Sequence, residues 1–343
     1  YDRNTEGAKP ALTRDLGERK ACSYTGRCLW GCPSDAFYTP SITLRECMGY
    51  DAFDYHRGYY AQYFRTDGRG RIKGLVATSG TTGEKKEFEA DGFVLAAGTL
   101  SSAKIFLDTI RNENGGEAPS LKGLMDNRQI LIPFINLNLI GQNYEDESYQ
   151  YHQLAMGFPE GDRYYHALIT TLKTALVHPI VQNIPLDLRT ALNVFRNVRA
   201  GLGVVNLNFD DHRRDTNSVS IETDPRTGTT RLKIVYSPPD GEAAVLDRTV
   251  KKVKKVLRKL GCIVPPFMMH LRPMGASVHY AGTVPMSVTP GPLTTSEYGR
   301  SHDYENLYFA DGSTFPSLPA KNLTFALMAN AARIADRAFP ELR

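Results

Sequence analysis

Apolar and polar positions change period several times along this chain, and each change predicts a different element. Between residues 59 and 90, short apolar runs are split by Asp67-Gly68 and Thr82-Gly83, which predicts strands joined by turns, with 72–78 as one strand. A brief apolar run at 92–97 stops at Gly98-Thr99 and passes into an amphipathic helix over 101–110, with Ile105, Phe106 and Ile110 along one side. Strand, glycine turn and helix in that order let backbone amides approach a nucleotide closely. A long strand is predicted at 130–140, followed by amphipathic helical patterns over 164–200 that Pro179 and Pro185 interrupt. Strands return at 203–209, 218–222 and 231–236, the last two joined by a turn at 224–228. A helix over 242–260 carries the stripe Leu246, Val250, Val253, Val256, Leu257 and Leu260, and Gly261 ends it. Residues 1–40 show no sustained period and read as irregular loop.

Charge adds little to this picture. The 242–260 helix carries Lys251, Lys252, Lys254, Lys255, Arg258 and Lys259, which read as its solvated face, favourably placed near the C-terminal end of the helix dipole. The net charge is +4, and no stripe of Lys and Arg interleaved with aromatics points to a nucleic-acid partner. The most apolar stretch, 130–140, is broken by Pro133, Asn136 and Asn138 and is far too short to span a membrane. At 343 residues, 41% apolar and 23% charged, the chain has the size of one large or two ordinary domains. It opens at Tyr1 on a polar stretch without a signal-like apolar core, so the expectation is that the true N-terminus lies upstream and that location, cytoplasmic or periplasmic, stays open.

Candidate chemistry lies in two places. Cys22, Cys28 and Cys32 form a tight group, with Cys47 and Cys262 apart, an odd count that does not read as a disulfide framework. Three thiolates at loop spacing suit an iron–sulfur cluster better than zinc, for which no close fourth ligand is present; a packed loop is the alternative. The second place is C-terminal. His279-Tyr-Ala-Gly-Thr-Val-Pro-Met286 is followed by Tyr298-Gly-Arg300, Asp311-Gly-Ser-Thr-Phe-Pro316, Asn322 and Arg333-Ile-Ala-Asp336. His270 sits in similar surroundings but lacks the following Gly-Thr, and the other histidines have no metal-ligand spacing. A histidine titrates near neutrality and suits proton abstraction, and an asparagine can hold a hydroxyl or alkoxide without competing for the proton. Read singly, Asn322 would be a helix N-cap and His279 a loop histidine.

The ordered C-terminal motifs resemble the signature of the glucose–methanol–choline (GMC) oxidoreductase family. Upstream, the 92–104 stretch is similar to the family strand and turn that return to the FAD adenosine, and Gly123-Leu-Met-Asp-Asn127 resembles the element that follows. The middle, about 130–270, matches loosely. The resemblance implies an α/β (α+β) fold, with a discontinuous FAD-binding domain at 1–125 and 271–343 and a substrate domain, a sheet backed by helices, at 126–270. It implies FAD-dependent oxidation of the CH–OH group of a sugar, polyol, sterol or long-chain alcohol, with His279 as general base and Asn322 as its orienting partner. Cofactor contacts are implied at Ala97, Gly98, Thr99, Asp311, Gly312, Asn322 and Thr324. The Cys22, Cys28 and Cys32 loop is similar to that of cluster-bearing GMC dehydrogenases, which would favour a dehydrogenase passing electrons to a cytochrome. Other GMC relatives use a loop like Gly31-Cys32-Pro33 as a packed segment, and Ser23 stands where the cluster-bearing ones have a second cysteine. The Gly-x-Gly-x-x-Gly turn for the diphosphate is not found, so the FAD domain reads as incomplete. An oxidase of the same family and a non-catalytic partner-binding module, using 164–200 as an interface, are the alternatives.

Overall fold

The computed structural model describes residues 12–26, 28, 31–143, 147, 154–172, 177–182 and 184–338. Helices and sheets are mixed throughout, an α/β fold, and the chain divides into two compact units. The first comprises 1–55, 129–208 and 240–272, the second 56–128, 209–239 and 273–343. Compactness thus groups residues 1–55 with the first unit and 209–239 with the second, where the expected domains had them the other way. Among the described residues no helix is long and apolar enough to cross a membrane.

The first unit is built on an antiparallel sheet in the order Cys262–Ile263, Gln129–Asn136, Leu202–Asn208, Arg163–Thr171 and Leu154–Glu160, with His270–Leu271 also pairing to Gln129–Asn136. Its register lines up buried side chains across three strands: Ile132 opposite Val205 opposite Ile169, and Ile130 opposite Leu207 opposite Ala167. A slip of one residue would turn every one of these to the other face, so burial itself holds the register. The Arg163–Thr171 strand corrects the helical reading of its sequence. It is paired along both edges and buries five of its residues, Tyr165, Ala167, Leu168, Ile169 and Thr170, so its apolar pattern runs on without alternation and imitates a buried helix. The predicted helices after it fall at Val177–Val181 and Leu188–Val198, the latter capped by the Asp187 carboxylate, which accepts from Thr190 N–H at 3.1 Å.

The predicted strand at 130–140 stops at Asn136, whose side chain accepts from Asn138 N–H at 3.0 Å and starts a short 3₁₀ turn, Leu137–Leu139. The long helix, Glu242–Lys259, buries Leu246, Thr249, Val253 and Leu257 and leaves most of its lysines in water. Arg248 and Lys252 both reach Glu160 of the edge strand, at 2.9 and 2.7 Å. Leu257 is 1% exposed, and Leu257→Ala is expected to destabilise the protein by about 3 kcal/mol, read as a lower urea midpoint with unchanged slope.

The second unit is organised around the Thr99–Glu113 helix, which is buried on nearly every side: Thr99, Ser102, Ala103 and all of 105–110 are shielded. The predicted strands at 59–90 appear as a three-stranded antiparallel sheet, Tyr59–Thr66, Ile72–Ser79 and Lys85–Glu89. A second sheet joins Leu121–Lys122, Ser218–Thr223 and Thr230–Val235. A parallel pair, Phe93–Leu95 with Leu307–Phe309, leads into the helix. Phe64, Ile72, Phe93, Leu95, Phe106, Leu121, Val219, Leu307 and Phe309 belong to one core, in which the Phe106 ring meets Phe309 edge-on at 5.2 Å. Polar anchors fix the helix as well: Thr109 Oγ1 accepts from Phe64 N–H at 2.9 Å, and Asp108 takes both Lys104 and the Thr230 hydroxyl.

Candidate functional site

The residues singled out in the C-terminal motifs lie in the second unit, around two short antiparallel pairings. Tyr280–Ala281 pairs with Met125–Asp126, with Tyr280 opposite Asp126 and Ala281 opposite Met125. That register, carried one residue further, sets His279 opposite Asn127. Asp211–His212 pairs with Ser317–Leu318. Between these pairings sits a small apolar core of Met125, Ala281, Leu318 and Leu323, with Phe315 and Leu327 against it. His279 and Asn322 are therefore tethered to one cluster, through Ala281 two residues on and Leu323 immediately after.

Buried polar bonds fasten the His279 loop. Asp126 is 4% exposed and its carboxylate accepts from Gly275 N–H at 2.5 Å and from the Ser277 hydroxyl. Ser277 Oγ in turn accepts from His279 N–H at 2.9 Å. Behind Asp126, its own N–H donates to Asp211, whose carboxylate also takes the Tyr236 hydroxyl at 2.7 Å and Arg214 at 2.6 Å. Burial raises the Asp126 carboxyl above the usual range, against the opposing pull of the Ser277 and Gly275 bonds. Burial lowers the His279 imidazole below its ordinary value, which favours the neutral ring. His279 Nδ1 lies 3.2 Å from Asn127 Oδ1, and the Asn127 amide N–H groups go to the carbonyls of Phe209 and Pro319, at 2.8 and 3.1 Å.

Among the described residues His279 is bonded to Asn127 and not to Asn322. Asn322 is exposed. It does not cap the last helix, Thr324–Ala338: Leu327 N–H donates to Leu323 C=O, so the first turn closes on Leu323. Thr324 is exposed at the first position of that helix. Asn127 and Asp126 escaped the sequence reading as site residues; the Gly123-Leu-Met-Asp-Asn127 motif marked the segment without saying which way its side chains face.

The remaining candidate cofactor residues meet at the start of the buried helix. Asp311 is 6% exposed, and its carboxylate accepts from Gly98 N–H at 2.9 Å, the Ser102 hydroxyl at 2.5 Å, and Ser313 N–H and hydroxyl at 2.9 and 2.6 Å. Asp311 thus joins the turn after one parallel strand to the turn after the other. Gly312 allows a close approach: a Cβ there would stand 2.8 Å from both Thr99 Oγ1 and Tyr280 O. Thr99 Oγ1 donates to that same Tyr280 carbonyl at 2.8 Å, linking the helix start to the His279 strand. Gly98 has φ 86°, and a Cβ built on it would point into open space. Ala97 and Gly98 are exposed, with Ala97 N–H donating to Ser102 Oγ at 3.2 Å and Gly98 N–H to Asp311. A groove of about 710 Å³ at the far end of this helix, lined by Ile110, Glu113 and Tyr304 among others, contains none of these residues.

Among the described residues no three His, Cys, Asp or Glu side chains are arranged to hold a metal ion, and Cys22, Cys28 and Cys32 are half-buried without a disulfide. Cys32 Sγ lies 3.5 Å from Ser34 Oγ. Burial alone would raise this thiol, but bonds from the Ser34 hydroxyl and the N–H groups of Phe37, Ser34 and Ala36 leave it below its ordinary value.

Comparison with known proteins follows the same lines. A family model described as GMC oxidoreductase matches residues 212–331, the segment carrying His279, Asp311 and Asn322. A search of curated proteins found no match. Among solved structures, an FAD-dependent oxidoreductase from Chaetomium thermophilum, in complex with a small-molecule fragment, superposes with a TM-score of 0.58 at 15% identity, covering 90% of this chain and 65% of its own. Pyridoxine 4-oxidase from Mesorbium loti gives 0.56 at 15% identity, covering 90% of this chain and 61% of its own. The chain therefore spans less than two thirds of the length of either structure, and the likeness is one of fold. The family model lies over the His279, Asp311 and Asn322 motifs, so this segment of the chain is similar to the C-terminal region of GMC oxidoreductases.

Proposed function

We propose that this chain is the catalytic C-terminal part of an FAD-dependent oxidoreductase acting on the CH–OH group of an alcohol. The observation that carries the reading is His279, held by main-chain and side-chain bonds with one ring nitrogen engaged by Asn127, where burial favours the neutral ring. Alcohol oxidation takes a proton from oxygen and a hydride from carbon, and FAD, when bound, supplies the hydride acceptor. The ring nitrogen of His279 that faces away from Asn127 takes the hydroxyl proton. Asn322, exposed beside the same apolar core, holds the hydroxyl in line. The residues present fit such a group at the turn Ala97, Gly98 and Thr99, where the exposed Gly98 sets no side chain in the way of a phosphate oxygen and Gly312 lets the second strand end pack close. In this reading Asp311 acts through the backbone it braces, and Thr324 stands beside Asn322 at the helix start. The second compact unit would hold the flavin.

The test uses the full-length protein carrying FAD, mixed without oxygen with sugars, polyols, sterols and long-chain alcohols while flavin absorbance is followed. Bleaching by one class supports the reading and names the substrate; no bleaching by any overturns it. Reoxidation by oxygen or by a dye then separates oxidase from dehydrogenase. Among the described residues the cysteines form no metal-holding group that would favour a cluster and a cytochrome partner, and one structural neighbour, pyridoxine 4-oxidase, is an oxidase. The pH dependence follows from the lowered His279 value. A base acts when neutral, so kcat/KM is expected to be flat through neutrality and to fall on the acid side with a midpoint below 6.5. A midpoint above 7 would remove His279 from the role.

A further inference from the structure

We propose that Asn127 is a positioning residue that holds His279 in one tautomer, with the proton on Nδ1 and the lone pair on Nε2. The inference rests on the reading of His279 as the base and adds which nitrogen acts and what selects it. Asn127 is 2% exposed, so water does not compete for its amide. Both N–H bonds of that amide are committed to main-chain carbonyls, Phe209 O at 2.8 Å and Pro319 O at 3.1 Å. Turning the amide over would set its oxygen against two carbonyl oxygens and leave the N–H groups facing the ring. Oδ1 is thereby fixed toward His279 Nδ1 at 3.2 Å. An amide oxygen only accepts, so Nδ1 must carry the hydrogen, and in a neutral imidazole Nε2 is then the bare nitrogen.

The carbonyls that lock Asn127 come from distinct parts of the unit. Phe209 precedes the Asp211–His212 strand, and Pro319 follows its partner Ser317–Leu318. Asp211 of the same strand accepts from Asp126 N–H at 3.0 Å, and Asp126 bonds the His279 loop at Gly275 and Ser277. Two adjacent residues therefore divide the work, Asp126 holding the loop backbone and Asn127 selecting the ring proton. Asp126, adjacent to Asn127, feels the charges of Asp211 and Arg128, and Asp211 is paired with Arg214.

The experiment uses the full-length FAD-loaded protein with ¹⁵N-labelled histidine, the His279 signals being assigned by their loss in His279→Gln. At pH 8 the expected spectrum shows Nδ1 protonated and Nε2 bare; the opposite tautomer overturns the proposal. Asn127→Leu removes the acceptor at similar volume, and is expected to mix the tautomers and lower kcat about 10–100-fold with KM changed less than threefold. An unchanged spectrum and rate in that variant overturn the proposal. Should it not fold, Asn127→Asp decides: a carboxylate keeps the acceptor, preserves the Nδ1–H tautomer, and moves the acid limb of kcat/KM to higher pH by favouring the charged ring. An acid limb that stays in place there means that Asn127 does not act through His279. If instead His279→Gln leaves flavin reduction by alcohol intact, the base reading fails, and the tautomer spectrum still judges the Asn127 contact by itself.

Discussion

Replacing His279 with Gln is expected to lower kcat for alcohol oxidation about 10²–10⁴-fold in the FAD-loaded full-length protein, the range that a positioned general base contributes. Gln keeps a polar side chain of similar reach, so the Asn127 contact and the small core of Met125, Ala281, Leu318 and Leu323 need not collapse. FAD absorbance and the unfolding midpoint should therefore stay near those of the parent while turnover is lost. Raising the pH should restore part of the rate, because a more alkaline medium removes the alcohol proton without a base on the protein. A variant that turns over within threefold of the parent at pH 7 would take the proton-transfer role away from His279. Asn322→Ala should cost less, because it removes a hydrogen bond to the reacting oxygen and leaves the proton acceptor in place.

Asp311→Ala carries the largest expected effect on stability. The carboxylate accepts four hydrogen bonds, from Gly98 N–H, the Ser102 hydroxyl, Ser313 N–H and the Ser313 hydroxyl, in a position that is 6% exposed. Truncation leaves the Ser102 and Ser313 donors buried without an acceptor, at about 1–3 kcal/mol for each one that finds no substitute, while Gly98 is exposed and can turn to water. The donors are neighbours and relax together, so the loss is expected at about 4 kcal/mol and not at the full sum. That is a large share of the roughly 5–15 kcal/mol by which a domain is stable. Urea unfolding should show a markedly lower midpoint, with Ser102→Ala losing only about 1 kcal/mol because a single bond is removed. Asp311→Asn should fall between them, since one oxygen survives and the new NH₂ faces donors. If Asp311→Ala unfolds within 1 kcal/mol of the parent, the bracket between the two turns is not what holds them.

Several elements were open to reading from the chain because their cause is local. The turns at Asp67-Gly68 and Thr82-Gly83 separate strands where expected, and Gly98 ends a strand and starts a helix. Periodicity found the Glu242–Lys259 helix because one face is buried and the other is wet. It failed at Arg163–Thr171 because a strand buried on both faces shows no alternation. The three cysteines meet the same limit: spacing along a loop resembles that of a ligand set, but whether sulfurs converge depends on how the loop turns, and Ser34 Oγ lies beside Cys32 Sγ.

By itself the sequence determined the residue types of the candidate site and their order: His279 before Gly282-Thr283, Asp311-Gly312 at a strand end, Asn322 before a helix. These follow from chain-local chemistry, the need for a base near neutrality, for glycine where backbone comes close, for a short polar side chain at a turn. Only the tertiary structure decided which groups these residues face. Asn127 stands 152 positions before His279, and they meet because the register of one short antiparallel pairing sets them opposite each other. Asp311 meets Gly98 across 213 positions because two parallel strands end side by side. Hydrogen bonds act over about 3 Å while sequence separation is set by topology, so a residue's partner is a property of the fold and not of its neighbours in the chain.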